Sequence, residues 1–417
     1  MSFLRLVEIG SPGALPPGEH DIYVDSAPGR HRLLMRSDDG YTDTLSSNGL
    51  RHVNFLTNGS LAVQQRVAIA STAIPSVSLT SRAGRVADRW AVTVGNITTC
   101  SWQQVDTAGA PEAGLLARYY GRITQAGTAA KFIFSQFIPN SDMTVLRGTS
   151  VRLSLKIKQF VGLNAVYRLG LLRLGAAGTP DVDPAFISAI GANGVDPTWG
   201  TNLALVTPTA ITPEGGTVSG TALNITSTAG WVRSSVIIDI PTDCENLVFV
   251  LFRDTVGAVG DSLGIAELQI TGGQEVVDWI TMPAPFDISR CLRFFTKSFP
   301  STVVPAAALA VATAGYGPSG ILGKAGSGVA LAAHIDITFP LVMHRTPTVT
   351  LFTPVAAGAA VYRHNGVTPA VQGATALVAS STTDFGCIVA ATSEATVNGA
   401  VGDLVSVHYT ADAEFVN

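Results

Sequence analysis

Residues 151–160 read VRLSLKIKQF, with apolar side chains recurring at every second position from Val151 to Ile157. That period of two belongs to a β-strand with one face buried. Segments that alternate or are rich in β-branched and aromatic residues lie on both sides of it. RWAVTV (89–94), LARYYGRI (116–123) and KFIFSQFI (131–138) precede it, and YRLGLLRL (167–174) follows. After an irregular stretch at 175–217, rich in Gly, Pro, Asn and Ala, the pattern resumes with VSGTALNIT, WVRSSVIIDI, NLVFVLFRD and SLGIAELQI. Many short strands at near-regular spacing predict a sandwich or jelly roll rather than a parallel sheet. Helical periodicity is almost absent, which argues against an α/β enzyme fold.

The expected architecture is therefore all-β, in four parts. Residues 1–50 form a small β-hairpin module: DIYVD and RLLMR are short strands, with turn chemistry at Pro28-Gly29 and Asp38-Asp39-Gly40. A module of this size needs something to dock on. Residues 51–273 form the central jelly-roll sandwich. Residues 274–300 form a short helical linker, with Asp287 as its cap and Ile288, Cys291, Leu292 and Phe295 at helical spacing. Residues 301–417 form a C-terminal β-sandwich domain. Its Ala/Gly-rich beginning, 303–332, reads as a loop or as a segment packed on neighbouring subunits. Trp90 and Trp231, in or beside apolar strands, read as core anchors, and Arg66 and Arg89 as loop-fixing side chains.

Charged residues make up only 13% of the 417-residue chain, and hydrophobic residues 47%. The mean hydropathy is +0.34. So little charge leaves a monomer's surface sticky, and the composition predicts an oligomer that buries neutral faces between copies. The net charge of −4 comes without any basic block, so no stripe exists to displace counterions from nucleic acid. No apolar run reaches the roughly 18 residues of a membrane helix, and MSFLRLVEIG lacks a signal-peptide core. Cys100, Cys244, Cys291 and Cys387 are widely spaced and read as buried free thiols of a chain made in a reducing cytoplasm.

The sequence holds little catalytic chemistry. None of the seven histidines sits at a metal-ligand spacing, and His334 with Asp336 reads as a surface or intersubunit hydrogen bond. GPSGILGKAGSG (317–328) lacks the Ser/Thr that a phosphate loop needs after Gly323-Lys324. A glycosidase pair such as Asp254 and Asp261 is conceivable, but no spike-like β-helix repeat accompanies it. The expectation is a non-enzymatic protein without a cofactor.

Four sets of segments resemble a family of tailed-bacteriophage virion proteins that carry a carbohydrate-binding-like jelly roll. They are NFLTNGSLAVQQR (54–66) with VADRW (86–90); MTVLRGTSVRLSLKIK (143–158); WVR (231–233) with SLGIAELQITGGQE (262–275); and ISRCLRFF (288–295) with FPLVMHRTPTVT (339–350) and TADAEF (410–415). The departures are Leu268-Gln269 followed by Ile270 and Thr271 where the family's closing strand usually ends in Gln-Leu-Glu before its glycine, and Ser60-Leu61 where it tends to an aromatic residue. The resemblance implies a head-fibre, spike, whisker or tail-fibre subunit, homotrimeric, attached to other virion proteins through 1–50. It also implies a virion location and a host-surface polysaccharide as partner; no nucleic acid and no membrane insertion are what the charge and hydropathy above lead one to expect. A purely architectural connector and a polysaccharide-degrading spike are the alternatives. A jelly roll that grips glycans stacks aromatic faces on sugar rings. Trp199, in ANGVDPTWGTN, is the first candidate, followed by Trp102 and Tyr120. Related jelly rolls often hold a calcium ion, for which Asn58 and Glu267 would be the nearest ligands.

Overall fold

The computed structural model describes 20–25, 32–37, 42–44, 53–66, 84–94, 100–107, 112–125, 131–162, 165–181, 187–191, 194–208, 214–219, 222–274, 277–299, 305, 321–325, 332–352, 360–364, 370–393 and 404–414. At the N-terminus, His20–Asp25, Arg32–Ser37 and Thr42–Thr44 pair antiparallel in sequence order. The two turns expected there lie outside the described residues.

Two antiparallel sheets form the central sandwich. The larger runs Thr217–Ser219, Ala222–Thr226, Val166–Leu174, Asn246–Arg253, Phe132–Ile138, Trp90–Val94 and Gly84–Ala87, with Leu203–Leu205 also paired to Val166–Leu174. The smaller runs Val232–Asp239, Ser150–Val161, Ser262–Gly272, Tyr119–Gln125 and Cys100–Asp106. Alternate side chains of both fill one core: Val151, Leu153, Leu155 and Ile157 meet Leu169, Leu171, Phe249 and Leu251. Trp90 anchors it as expected, stacked on Phe134 at 4.6 Å, its Nε1 donating to the Asn58 carbonyl at 2.9 Å.

One strand changes phase inside this core. Along Ser262–Gly272 the inward residues are Leu263 and Ile265, then Leu268 and Ile270. The partner strand advances from Lys156 to Ser154 while this one advances from Ala266 to Gln269. The extra residue is a β-bulge, and Glu267 occupies it at φ 52°.

The 175–217 stretch is less irregular than its composition predicts. Ile187–Ala189 and Thr198–Trp199 pair, and with Leu203–Leu205 they cover the outer face of the larger sheet. Asn140–Met143 and Thr144–Leu146 form a short helical turn that the sequence reading did not foresee.

The linker helix is Ala284–Leu292, and it starts earlier than expected. Pro283 precedes it, and Asp287 is not its cap. The Asp287 carboxylate is buried and accepts from Asn58 N at 3.1 Å and Ser60 Oγ at 3.3 Å. The C-terminal sheet then returns on itself. Leu404–Asp412 pairs with both Ile321–Ala325 and Ala360–His364, and Ala332–Thr338, Gly386–Ser393 and Ala370–Ser380 complete the ring. Ile321–Ala325 is thus a strand, where the composition of 303–332 had suggested a loop. Ile335, Ile337, Val389, Val407 and Tyr409 are buried in this unit's core.

The two β units meet at a polar knot. Arg66 pairs with Asp412 and, at 3.3 Å, with Glu414; Arg85 reaches Glu414 at 2.9 Å. Arg89 N donates to Glu414 Oε1, and the Arg89 guanidinium lies 3.4 Å from the Phe294 ring centroid. Arg290 donates to the carbonyls of Asn54 and Leu56.

Candidate functional site

The outer face of the smaller sheet is where chemistry gathers. In Ser150–Val161 the core parity ends at Ile157, and the other parity reads Arg152, Ser154, Lys156, Lys158 and Phe160. Phe160 is therefore an aromatic side chain in the polar register of its strand. Cross-strand pairing sets Gln103 beside Arg122, Arg122 beside Gly264, and Gly264 beside Lys158, giving one row across four strands. Gly264 leaves the gap in that row. A Cβ there would meet Phe160 Cε2 and Trp231 Cη2, each at 2.8 Å, so both rings lie against the sheet over this glycine.

Tyr120 completes the cluster, 5.3 Å from Trp231 edge-to-face and 5.9 Å from Phe160. Phe160 and Trp231 are half-buried, whereas Tyr120 is 7% exposed. Burial first, and then Glu112, push the Tyr120 phenol up from its ordinary value, so it stays a hydrogen-bond donor. Arg122 lies 4.7 Å from the Phe160 ring centroid and donates from Nε to Ser262 Oγ at 2.6 Å. Lys158 Nζ lies 4.7 Å from the same centroid and pairs with Glu112. Among the described residues no carboxylate forms an ion pair with Arg122. The patch thus offers aromatic faces flanked by an amide, hydroxyls and a cation, a set suited to sugar rings.

The sequence candidates are placed differently. Trp102 is not in a loop: it sits in Cys100–Asp106, 1% exposed, stacked on Phe134 at 5.6 Å in the sandwich core. It has no open face to offer a ligand. Trp199 packs edge-to-face on Phe252 at 5.7 Å as part of the cover over the larger sheet, on the opposite side of the sandwich from Tyr120. Only Tyr120 belongs to the cluster, and it supplies an edge rather than an open platform. Phe160 and Trp231 carry the exposed aromatic surface. Trp231, expected as a core anchor, packs outside the main core. The signal for Phe160 was its parity.

Asn58 and Glu267 do not share a site. Asn58 is fully engaged: Nδ2 donates to the carbonyls of Val63 and Asp88, and Oδ1 accepts from Val63 N. Glu267 accepts from Leu116 N and Ala117 N and pairs with Lys156 at 2.9 Å. Among the described residues no group of three or more metal-binding side chains occurs. Asp254 pairs with Arg168 at 2.9 Å and Asp261 with Arg253 at 2.6 Å, so each is held by its own arginine. All four cysteines are buried and free.

No protein-family model matches the sequence. No curated protein matches it either. Among solved structures, TmCBM61 in complex with beta-1,4-galactotriose is 12% identical, covering 53% of this chain and 99% of its own, with TM-score 0.28. The family 11 carbohydrate-binding module of a Clostridium thermocellum cellulosomal cellulase is 10% identical, covering 49% and 99%, with TM-score 0.25. The enzymatically active domain of bacteriophage CBA120 tailspike protein 4 is 10% identical, covering 57% and 24%, with TM-score 0.29. The chain is an all-β protein built around a β-sandwich.

Proposed function

We propose that the chain is a non-enzymatic, homotrimeric subunit of a phage-type virion appendage, and that it presents the outer face of its smaller sheet to cell-surface glycans. The observation that carries the glycan reading is the row Gln103, Arg122, Gly264 and Lys158 with the rings of Phe160 and Trp231 lying over its gap. The uncompensated Arg122 favours an acidic polysaccharide, since a sugar carboxylate would pair with it bidentately. Contacts at one such patch are weak, and several copies on one particle multiply them.

A glycan microarray probed with wild type, Trp231→Ala and Phe160→Ala tests this. Binding to uronic-acid-containing glycans that disappears in both variants, while each still unfolds in a cooperative melting transition, is expected. Equal binding by all three proteins would sink the assignment of the site.

Contacts between copies, which this reading and a purely architectural one both require, have a candidate surface in the C-terminal unit. Leu341, Val342 and Phe385 are exposed at 37%, 49% and 60%, on turns joined by Phe339 N to Phe385 O and Met343 N to Asp384 O. Such a patch suits contacts between copies. Light scattering of wild type and Phe385→Ser reads it: a trimer lost in the variant supports it, and a wild-type monomer removes it.

A further inference from the structure

A second face with binding chemistry lies at the junction of the two β units. The ribbon of Thr348–Phe352 and Leu404–Asp412 turns Val349, Leu351, Tyr409 and Ala411 toward the C-terminal core. Its other face alternates the opposite way. Thr348 stands across from Asp412, Thr350 from Thr410, and Phe352 from His408. Phe295–Lys297 extends the same face, with Phe295 beside Asp412.

Above this face is a cleft of about 470 Å³, walled on the sandwich side by Arg66. That volume falls within the range of small-ligand sites. One end is charged: Arg66 stacks 3.8 Å from the Phe295 centroid and pairs with Asp412, whose side chain remains 32% exposed. The middle carries hydroxyls, with Thr348 and Thr350 open to solvent and Thr410 beneath. The other end is aromatic: Phe352 meets Phe299 edge-to-face at 5.4 Å, and Phe299 stacks on His408 at 4.4 Å.

We propose that this cleft is a separate binding site for a neutral, hydroxyl-rich ligand of one or two sugar rings. Arg66 and Asp412 cancel each other, so the cleft offers no net charge to an ion. Threonine hydroxyls both donate and accept, as sugar hydroxyls do. Phe352 supplies the apolar surface for the C–H face of a ring. Both β units contribute to the walls, so a bound sugar would bridge them.

Saturation-transfer NMR with cellobiose, lactose and chitobiose tests the site, using wild type, Trp231→Ala, Thr350→Val and Thr348→Val. The threonine changes keep the volume and remove one hydroxyl each, so folding is spared. Expected is binding by at least one disaccharide that survives in Trp231→Ala and weakens about tenfold in Thr350→Val, the loss of one good hydrogen bond. Binding that is lost in Trp231→Ala and unchanged in both threonine variants assigns all sugar contact to the sandwich face and overturns the cleft. Silence from all three probes with wild type at millimolar concentration also overturns it, while leaving the acidic-glycan reading of the other face to its own array.

Discussion

Arg85 and Glu414 are 329 positions apart in sequence and 2.9 Å apart in space, Nη1 to Oε2, with the Glu414 side chain 1% exposed. The pair ties the first strand of the larger sheet to the end of the C-terminal unit. Arg66 and the Arg89 backbone add to the same carboxylate. Removing it would leave a buried cluster of guanidiniums without their anion, which costs about 3–5 kcal/mol. Glu414→Gln is therefore expected to lower the melting temperature by several degrees. Two calorimetric transitions in place of one would show that the units have uncoupled, and an unchanged thermogram would refute the knot's importance.

The same knot makes stability depend on pH in a defined direction. Burial alone would raise the Glu414 carboxyl, but Arg85, Arg66 and Arg89 outweigh it and hold it at about 2, below its ordinary 4.5. A carboxylate held down in the folded state stabilises above 4.5, and that contribution fades as pH falls through 2. Asp88 behaves oppositely: burial pushes it up to about 6 from 3.8, so its contribution falls as pH rises from 3.8 to 6. The stability gap between wild type and Glu414→Gln should close as pH drops from 4.5 toward 2. Urea titrations at several pH values check this, and a constant gap would contradict it.

Gly264 holds the aromatic rings of the sandwich face in place by having no side chain. In Gly264→Ala the new methyl would start 2.8 Å from both Phe160 Cε2 and Trp231 Cη2, so the half-buried rings must tilt outward. Glycan affinity is expected to fall about tenfold or more, with a stability change near 1 kcal/mol. Isothermal titration against a microarray hit, with a parallel melting curve, separates the two effects. Undiminished affinity would mean the rings do not form the platform.

The two tryptophans chosen from sequence should separate cleanly in denaturant. Trp102→Ala empties a fully buried volume in the main core and should cost about 3–5 kcal/mol. Trp199→Ala removes a partly buried cover from Phe252 and should cost less, about 1–2 kcal/mol. Urea unfolding of both gives the order, and the reverse order would mean the outer layer matters more than the sandwich.

Strands were legible because a sheet with one buried face imposes a period of two, which 151–157 carries openly, while a strand buried on both faces shows a continuous apolar run, as at 247–252. The parity slip at Glu267 was equally visible in SLGIAELQI, where the spacing of Leu263, Ile265, Leu268 and Ile270 breaks step once. The site was harder. Trp102 and Trp199 were chosen for lying near irregular sequence, but what decides exposure is which side of a strand a residue falls on and what covers that side. Phe160 was readable by that test. The place of Trp199 was not, because the outer layer it belongs to is built from short strands hidden in a Gly/Pro-rich stretch. Four of the segments that carried the resemblance (54–66, 86–90, 288–295 and, as far as it is described, 410–414) converge on the knot between the two β units. That convergence explains why they inform on fold more than on ligand.

The ring of strands in the C-terminal unit bears on how this chain resists aggregation. An open sheet leaves a row of unpaired amide donors and carbonyls at its border, which invites another chain to add on, and most proteins deter this with lysines and glutamates. A chain with 13% charged residues has few such gatekeepers to spare. By pairing Leu404–Asp412 with strands on both of its sides, the fold removes that border where the ring closes, so crowding many copies together does not seed fibrous growth from there.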